Sequence, residues 1–251
     1  MSEKKRIMIV LPIVYTESLK DALEDRKKLA KEMKKRTGGL FEIETTTLEK
    51  GTASIEGTYD EAINVPHILE KIKKAEQEGY DAVVIDCFGD PGLDAAKELV
   101  EIPVLGANMS SCHLAAQLAP RFSVLNVLPE TEYLVRDLAT KYGLLQHLAS
   151  VVTIHVPVLE LEADPEKVIA SMVKAAEKAV REDGASAIVF GCTGMSSLVD
   201  EVKSRLEDKG IRAPVIEPLR AAVCAAVARI LMGVSHSKEA YRPPREKPRK
   251  L

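Results

Sequence analysis

The sequence predicts an α/β protein built from two similar halves, and three observations predict it. The first is residues 82–93, where the β-branched apolar run Val83-Val84-Ile85 reads as a strand buried on both faces. Cys87 follows at the end of that strand. Gly89-Asp90-Pro91-Gly92 then makes a tight turn, with Asp90 as N-cap and Pro91 at the first helical position, into a helix over about 93–100. The second is the recurrence of this layout in Ala187-Ile188-Val189-Phe190-Gly191-Cys192-Thr193-Gly194-Met195, again strand, cysteine, small-residue turn and helix. The third is that each copy is followed by a proline and a short apolar run, Ile102-Pro103-Val104-Leu105 and Ala213-Pro214-Val215-Ile216. Each half therefore offers one cysteine at the same topological point, between the carboxyl end of a strand and the amino end of a helix. In open parallel sheets ligands bind at that rim.

The remaining elements follow in order. A first strand, about 6–11, ends in Pro12-Ile13-Val14-Tyr15, and a charged amphipathic helix over 18–36 is stopped by Thr37-Gly38-Gly39. Phe41–Thr47 is a strand favoured by its threonines. Residues 49–64 are small, polar and punctuated by glycine, too long for a minimal connection, and so read as a functional loop. A helix over 65–78 precedes the Cys87 strand, and 102–105 is the next strand. Gly106–Ser111 is the crossing into the second half. There the pattern gives a helix at 112–118, strands at 122–127 and 150–158, and helices at 131–142 and 165–182, the last capped by Asp164. The strand at 214–216 is expected to return to the first half, and a helix over 219–232 closes the fold. The expected division is 1–105 plus 214–234 for the first lobe and 106–213 for the second. Residues 235–251, basic and rich in proline, read as a tail with little order.

Composition narrows the function. The net charge of −3 gives no bulk attraction to nucleic acid or to an anionic membrane. No apolar run reaches the ~18 residues of a spanning helix, and the amino terminus shows no signal peptide, so a cytoplasmic address is expected. The four cysteines lack CxxC spacing and the histidines are scattered, so neither a metal site nor a disulfide is expected. Scarce Asn and Gln with abundant Lys and Glu are compatible with a heat-adapted source.

If the halves face each other, Cys87 and Cys192 approach from opposite sides. A carbon acid held between them can lose its proton to one sulfur and gain one from the other, which inverts a stereocentre without a cofactor. Helix amino termini are expected to lower both thiol pKa values toward neutrality. The backbone N–H groups of Phe88, Gly89, Thr193 and Gly194 are candidates for the oxygen that becomes enolate-like. The bland alternative is a pair of buried structural thiols. Cys112 and Cys224, in apolar helical stretches, read as packing residues, and His113 as a satisfied, partly buried imidazole.

The stretches Ser54-Ile55-Glu56-Gly57-Thr58-Tyr59-Asp60-Glu61, Cys87-Phe88-Gly89-Asp90-Pro91-Gly92-Leu93, Arg121-Phe122-Ser123-Val124 and Gly191-Cys192-Thr193-Gly194-Met195 resemble the hydantoin racemases of the aspartate/glutamate racemase superfamily. The resemblance implies two pseudo-symmetric lobes, each a flavodoxin-like parallel sheet flanked by helices, with the active site in the cleft between them. It implies cofactor-independent racemisation at C5 of 5-substituted hydantoins, with Cys87 and Cys192 as the acid/base pair and a homo-oligomeric assembly. It further implies that Pro12, Ser54, Phe88, Gly89, Asn126, Thr193 and Gly194 bind a small-molecule substrate. Two departures stand out. The family's usual Asn-Pro-Asn-Thr after the first strand is here Leu11-Pro12-Ile13-Val14, and a usual Thr pair is replaced by Asn126-Val127. Fewer polar side chains then face the substrate, which leaves open a more apolar hydantoin, allantoin or another carbon acid. Two alternatives remain at this level: another superfamily reaction, such as amino-acid racemisation or maleate isomerisation, and a non-catalytic small-molecule binding protein.

Overall fold

The computed structural model describes residues 4–161 and 164–249. The first half contains β1 (Lys5–Val14), α1 (Lys20–Arg36), β2 (Phe41–Leu48), α2 (Thr58–Gln77), β3 (Ala82–Ile85), α3 (Leu93–Leu99) and β4 (Val104–Gly106). Its four strands are all parallel, in the order β2-β1-β3-β4. After α4 (Ala107–Leu118) the second half repeats the plan with β5 (Phe122–Asn126), α5 (Glu132–Lys141), β6 (Leu148–Thr153), α6 (Pro165–Arg181), β7 (Ala187–Phe190), α7 (Val199–Asp208) and β8 (Val215–Ile216). Its order, β6-β5-β7-β8, is the same, and α8 (Pro218–Met232) follows. Parallel strands need crossovers, and the crossover helices cover both sheet faces. This explains why β3, β5 and β7 are buried along their whole length. The polar Ser123 within β5 is satisfied by a 2.8 Å hydrogen bond to the Ser150 hydroxyl.

The two halves exchange a helix. Cys112 and Ala115 of α4 pack among Phe122, Val124 and Val189 of the second lobe. Leu219, Ala222, Val223 and Ala226 of α8 pack among Ile7, Ile9, Val84 and Leu105 of the first. The two exchanged helices also pack against each other.

Each exchanged helix begins directly at the rim, and each is capped by a buried carboxylate. The Asp90 side chain accepts hydrogen bonds from the N–H groups of Asn108 (2.9 Å) and Met109 (2.8 Å) and from the Tyr142 hydroxyl (2.8 Å). Asp90 therefore caps α4, not the nearer α3 as its sequence position suggested. Gly106 makes this possible, since a Cβ there would lie 2.4 Å from the Asp90 carboxyl carbon. In the second lobe Glu217 caps its own helix, accepting from Leu219 (2.7 Å) and Arg220 (2.6 Å).

Some expectations are corrected. Residues 215–216 do not return to the first half: they pair with β7 (Ile188↔Val215, Val189↔Ile216). The reason is the repeat itself. Pro103 O accepts the Val83 N–H at 2.9 Å, and Pro214 O accepts the Ile188 N–H at 2.8 Å, so each short strand completes its own sheet. The chain crosses back only at Glu217. Helix α2 starts at Thr58, with Pro66 inside it, so the polar loop is shorter than read. The tail is docked over its first residues: the Lys238 ammonium donates to the carbonyls of Lys97 (2.8 Å) and Val100 (2.6 Å), and His236 bonds the Val100 carbonyl at 2.8 Å. Carbonyls at the end of α3 lack intrahelical partners, and the tail supplies donors. Residues 250–251 of the tail lie outside the described residues. Cys112 is buried as expected, whereas Cys224 faces outward from α8.

Candidate active site

A cleft of about 500 Å³ lies between the carboxyl rims of the two sheets. All nine residues singled out from the sequence line it: Cys87, Cys192, Pro12, Ser54, Phe88, Gly89, Asn126, Thr193 and Gly194. Cys87 stands just past the end of β3, where the Asp86 N–H is held by Val10 O at 2.9 Å. Cys192 stands just past β7, where Gly191 N–H bonds Leu125 O at 2.8 Å. Only glycine allows this last approach, since a Cβ on residue 191 would lie 2.6 Å from the Leu125 carbonyl oxygen. Each cysteine is thus fixed by the last hydrogen bond of its strand.

The glycine two residues on turns its N–H back to the sulfur in both loops. Gly194 N–H donates to Cys192 Sγ at 3.3 Å. Gly89 N–H likewise pulls the Cys87 thiol down. These donors serve the sulfurs themselves rather than a substrate oxygen. They favour thiolate, yet burial outweighs them. Cys87 is pushed far above the usual thiol range, first by burial and further by the charges of Cys192, Asp90 and Asp86. Cys192 is pushed up to about 11 by burial, against the pull of the Gly194 N–H and the Arg26 guanidinium. The lowering toward neutrality expected from helix amino termini is therefore not what the site holds. The physical reason is burial of both sulfurs: α3 begins only at Leu93, and although Cys192 caps the short 3-10 turn Thr193–Leu198, the one N–H it accepts there does not offset its desolvation.

Behind the sulfurs lies a polar layer that the sequence reading did not single out. Arg26 of α1 is 2% exposed and grips Asp86 with Nε (2.8 Å) and Nη2 (3.2 Å). The same Nη2 donates to the Thr193 carbonyl at 3.1 Å, and Nη1 to Ala22 O at 3.2 Å. The Thr193 hydroxyl returns a bond to the Asp86 carbonyl at 3.2 Å. Ser196 continues the layer, donating toward Thr193 O (2.6 Å) and Glu217 (2.7 Å). One signal was available: Arg26 stands on the buried stripe Ala22, Arg26, Leu29, Met33 of an otherwise amphipathic helix. A guanidinium on such a stripe needs a buried anion.

The loop bearing Ser54 is held by Asn64, which is fully buried. Its amide accepts from Thr52 N–H (2.9 Å) and donates to the Pro12 carbonyl (2.9 Å) and the Thr52 hydroxyl (2.8 Å). Glu56 ties the loop to the other lobe by accepting from Val158 N–H at 3.0 Å. Asn126 is braced within its own turn, donating to Leu128 O and lying 3.1 Å from the Thr131 hydroxyl. The first departure from the family pattern gives an apolar wall: Leu11 and Ile13 pack with Leu19 and Ala22, and Ile55 lies against them. His113 bonds the Met109 carbonyl at 2.8 Å and is not among the residues lining the cleft. Among the described residues no group of three or more His, Cys, Asp or Glu is placed to hold a metal ion. No described helix is long and apolar enough to cross a membrane.

Comparison with known proteins agrees with this architecture. The family model for Asp/Glu/Hydantoin racemase matches residues 20–226. A hydantoin racemase of Rhizobium meliloti is 43% identical over 196 residues, 78% of this chain and 79% of its own. A hydantoin racemase of Pseudomonas sp. (strain NS671) is 40% identical over 207 residues, 82% of this chain and 81% of its own. Among solved structures, an allantoin racemase from Klebsiella pneumoniae superposes with a TM-score of 0.88 at 33% identity, covering 99% of this chain and 97% of the other. The chain belongs to the Asp/Glu/hydantoin racemase family and is an enzyme of the isomerase class.

Proposed function

We propose that the protein is a cofactor-independent racemase of 5-substituted hydantoins that moves protons between Cys87 and Cys192. The observation that carries this reading is the pair of sulfurs, one from each lobe, lining one cleft at pseudo-equivalent rim positions. A thiolate on one side removes the C5 proton. An S–H bond forms, the C5–H bond breaks, and its electron pair moves onto the neighbouring ring carbonyl as an enolate. The thiol on the opposite side then gives its proton to C5 from the other face and is left as thiolate. The two sulfurs exchange roles with each turnover, and the opposite enantiomer is processed in reverse. Because a thiolate on one sulfur disfavours a thiolate on the other, the pair carries at most one charge at a time.

Pro12, Ser54, Phe88, Gly89, Asn126, Thr193 and Gly194 surround the ring in this reading. The wall of Leu11, Ile13 and Ile55 favours an apolar C5 substituent. Allantoin is the second reading, favoured by the likeness to an allantoin racemase over nearly the whole chain. Its ureido substituent would meet that same apolar wall and leave polar groups unpaired. The reading extends to a homo-oligomer, which light scattering would reveal, and to a cytoplasmic setting.

The test is proton exchange at C5. Enantiopure 5-isobutyl and 5-benzyl hydantoins and allantoin are offered in D2O, and optical rotation and deuterium uptake are followed together. Loss of rotation with deuterium uptake is expected for the apolar hydantoins, with allantoin slower. Exchange of allantoin alone would reverse the choice of substrate, and no exchange with any of them would end the reading.

A further inference from the structure

We propose that Arg26 is a positioning residue that joins the two cysteine loops across the cleft. This rests on the racemase reading for its role in turnover. Its geometry stands independently.

One guanidinium touches both loops. Through Nε and Nη2 it holds Asp86, the residue before Cys87, and through Nη2 it holds the carbonyl of Thr193, the residue after Cys192. The Thr193 hydroxyl closes the circuit onto the Asp86 carbonyl. The separation of the two loops is thereby fixed by a planar fork with four bonds made, in a place 2% exposed. Such a buried ion pair is a poor source of stability compared with apolar packing of the same volume. The neighbouring stripe positions, Ala22, Leu29 and Met33, show that α1 supports apolar packing here. A geometric role at the cleft accounts for the pair where stability does not.

The Arg26 charge also reaches Cys192, against the opposing charges of Asp86 on β3's carboxyl end and Glu56 on the polar loop. The charges that act most on Cys87 are those of Cys192, Asp90 and Asp86, all of which raise it. Glu217, at the start of α8, also acts on Arg26. Burial raises both thiols, and Cys192, which the Arg26 guanidinium pulls down, is the one that loses its proton more readily. In a racemase this bias does not appear in kcat/KM for the two directions, which must be equal because enantiomers have equal free energy. It appears when each sulfur is observed alone.

Two measurements test the proposal. The first needs no substrate: the rate of alkylation of Cys192 by iodoacetamide is followed against pH by mass spectrometry. Arg26→Met should move the alkaline limb to higher pH, and Asp86→Asn, which frees the guanidinium, should move it to lower pH. Arg26→Lys should leave the limb near its wild-type position. The second is deuterium exchange at C5 in Cys87→Ser and Cys192→Ser backgrounds. Arg26→Met should slow exchange supported by Cys192 by about 10²-fold, as expected for a catalytic group misplaced by an ångström, and exchange supported by Cys87 less. Arg26→Lys should lower kcat without raising KM. If Arg26→Met fails to fold, Arg26→Lys and Asp86→Asn still give the answer. An alkylation limb that stays put in Arg26→Met and Asp86→Asn overturns the proposal, as does equal slowing of both single-cysteine enzymes with an unmoved pH profile. Absence of exchange in the wild type would instead count against the racemase reading, while the alkylation arm would still decide the place of Arg26.

Discussion

The two cysteine loops occupy the same place in two copies of one fold, yet they differ in charge and in how they hold their neighbours. In the first loop, Asp90 reaches out to cap the helix that leaves for the other lobe. In the second, the cap is Glu217 on the departing helix itself, and the loop merely steadies it through Ser196. The charges of Cys192, Asp90 and Asp86 hold Cys87 up, whereas the Arg26 guanidinium pulls Cys192 down. Repetition of the backbone has fixed where each sulfur stands, while the side chains decide which sulfur more readily bears charge. The proposed two-sulfur mechanism would use that combination: matched positions to reach both faces of a carbon, and unmatched charge so that one sulfur gives up its proton more readily than the other.

The largest effect that bears on this comparison is loss of a sulfur. Cys87→Ser and Cys192→Ser should each reduce racemisation by about 10²- to 10⁴-fold, the usual worth of one acid or base. Polarimetry checks the loss, and deuterium uptake without inversion in either variant would identify the surviving half. A single variant that racemises at the wild-type rate would break the equivalence of the loops.

Next come the caps. Asp90→Ala leaves the N–H groups of Asn108 and Met109 and the Tyr142 hydroxyl without their acceptor, and should cost about 1–3 kcal/mol in chemical denaturation. Ser196→Ala, which removes only a steadying contact, should cost about 1 kcal/mol or less. Equal costs would erase the distinction drawn between the two loops.

The same carboxyl gives a pH signature. Burial raises Asp90 from its ordinary 3.8 to about 6, against the pull of its N–H donors and the Tyr142 hydroxyl. A carboxyl with a raised pKa binds its proton more tightly in the folded state than in the unfolded one. Its contribution to stability is therefore present below pH 3.8 and is lost as pH rises through about 6. Asp90→Asn should flatten the stability profile across that window, measured as denaturation midpoints at successive pH values. An unchanged slope would place the titration elsewhere.

The smallest of these effects concerns the loop that bears Ser54. Asn64→Leu removes three hydrogen bonds that hold it against β1. The expected result is a raised KM with kcat little altered, checked by steady-state kinetics with an apolar hydantoin. A fall in kcat alone would mean that the loop serves the chemistry rather than binding.

Much of this organisation was legible in the chain. Val83-Val84-Ile85 and Ala187-Ile188-Val189-Phe190 announce buried parallel strands because both faces must be apolar, and the cysteine and glycine that follow each strand mark the rim. The substitutions Leu11 and Ile13 were visible as a loss of polarity, and they do form an apolar wall of the cleft. What remained hidden depends on partners distant in sequence. Nothing local tells that Asp90 caps a helix eighteen positions on, and so α4 was read as starting at Cys112 rather than Ala107. Arg26 went unread: its only local signal is a charge on an apolar stripe, and its anion lies sixty positions away. The strand at 214–216 was misassigned although the repeat already held the answer in Pro103 and Pro214.

The exchange of α4 and α8 carries a consequence for how this chain unfolds. Neither sheet is covered on both faces by helices from its own half: Ile7, Ile9 and Leu105 rely on α8, and Phe122, Val124 and Val189 rely on α4. A fragment ending at residue 106 would present a bare apolar sheet face to water. The halves are thus thermodynamically inseparable, and scanning calorimetry of the whole chain should give one cooperative transition, not two, despite a sequence that reads as a duplication.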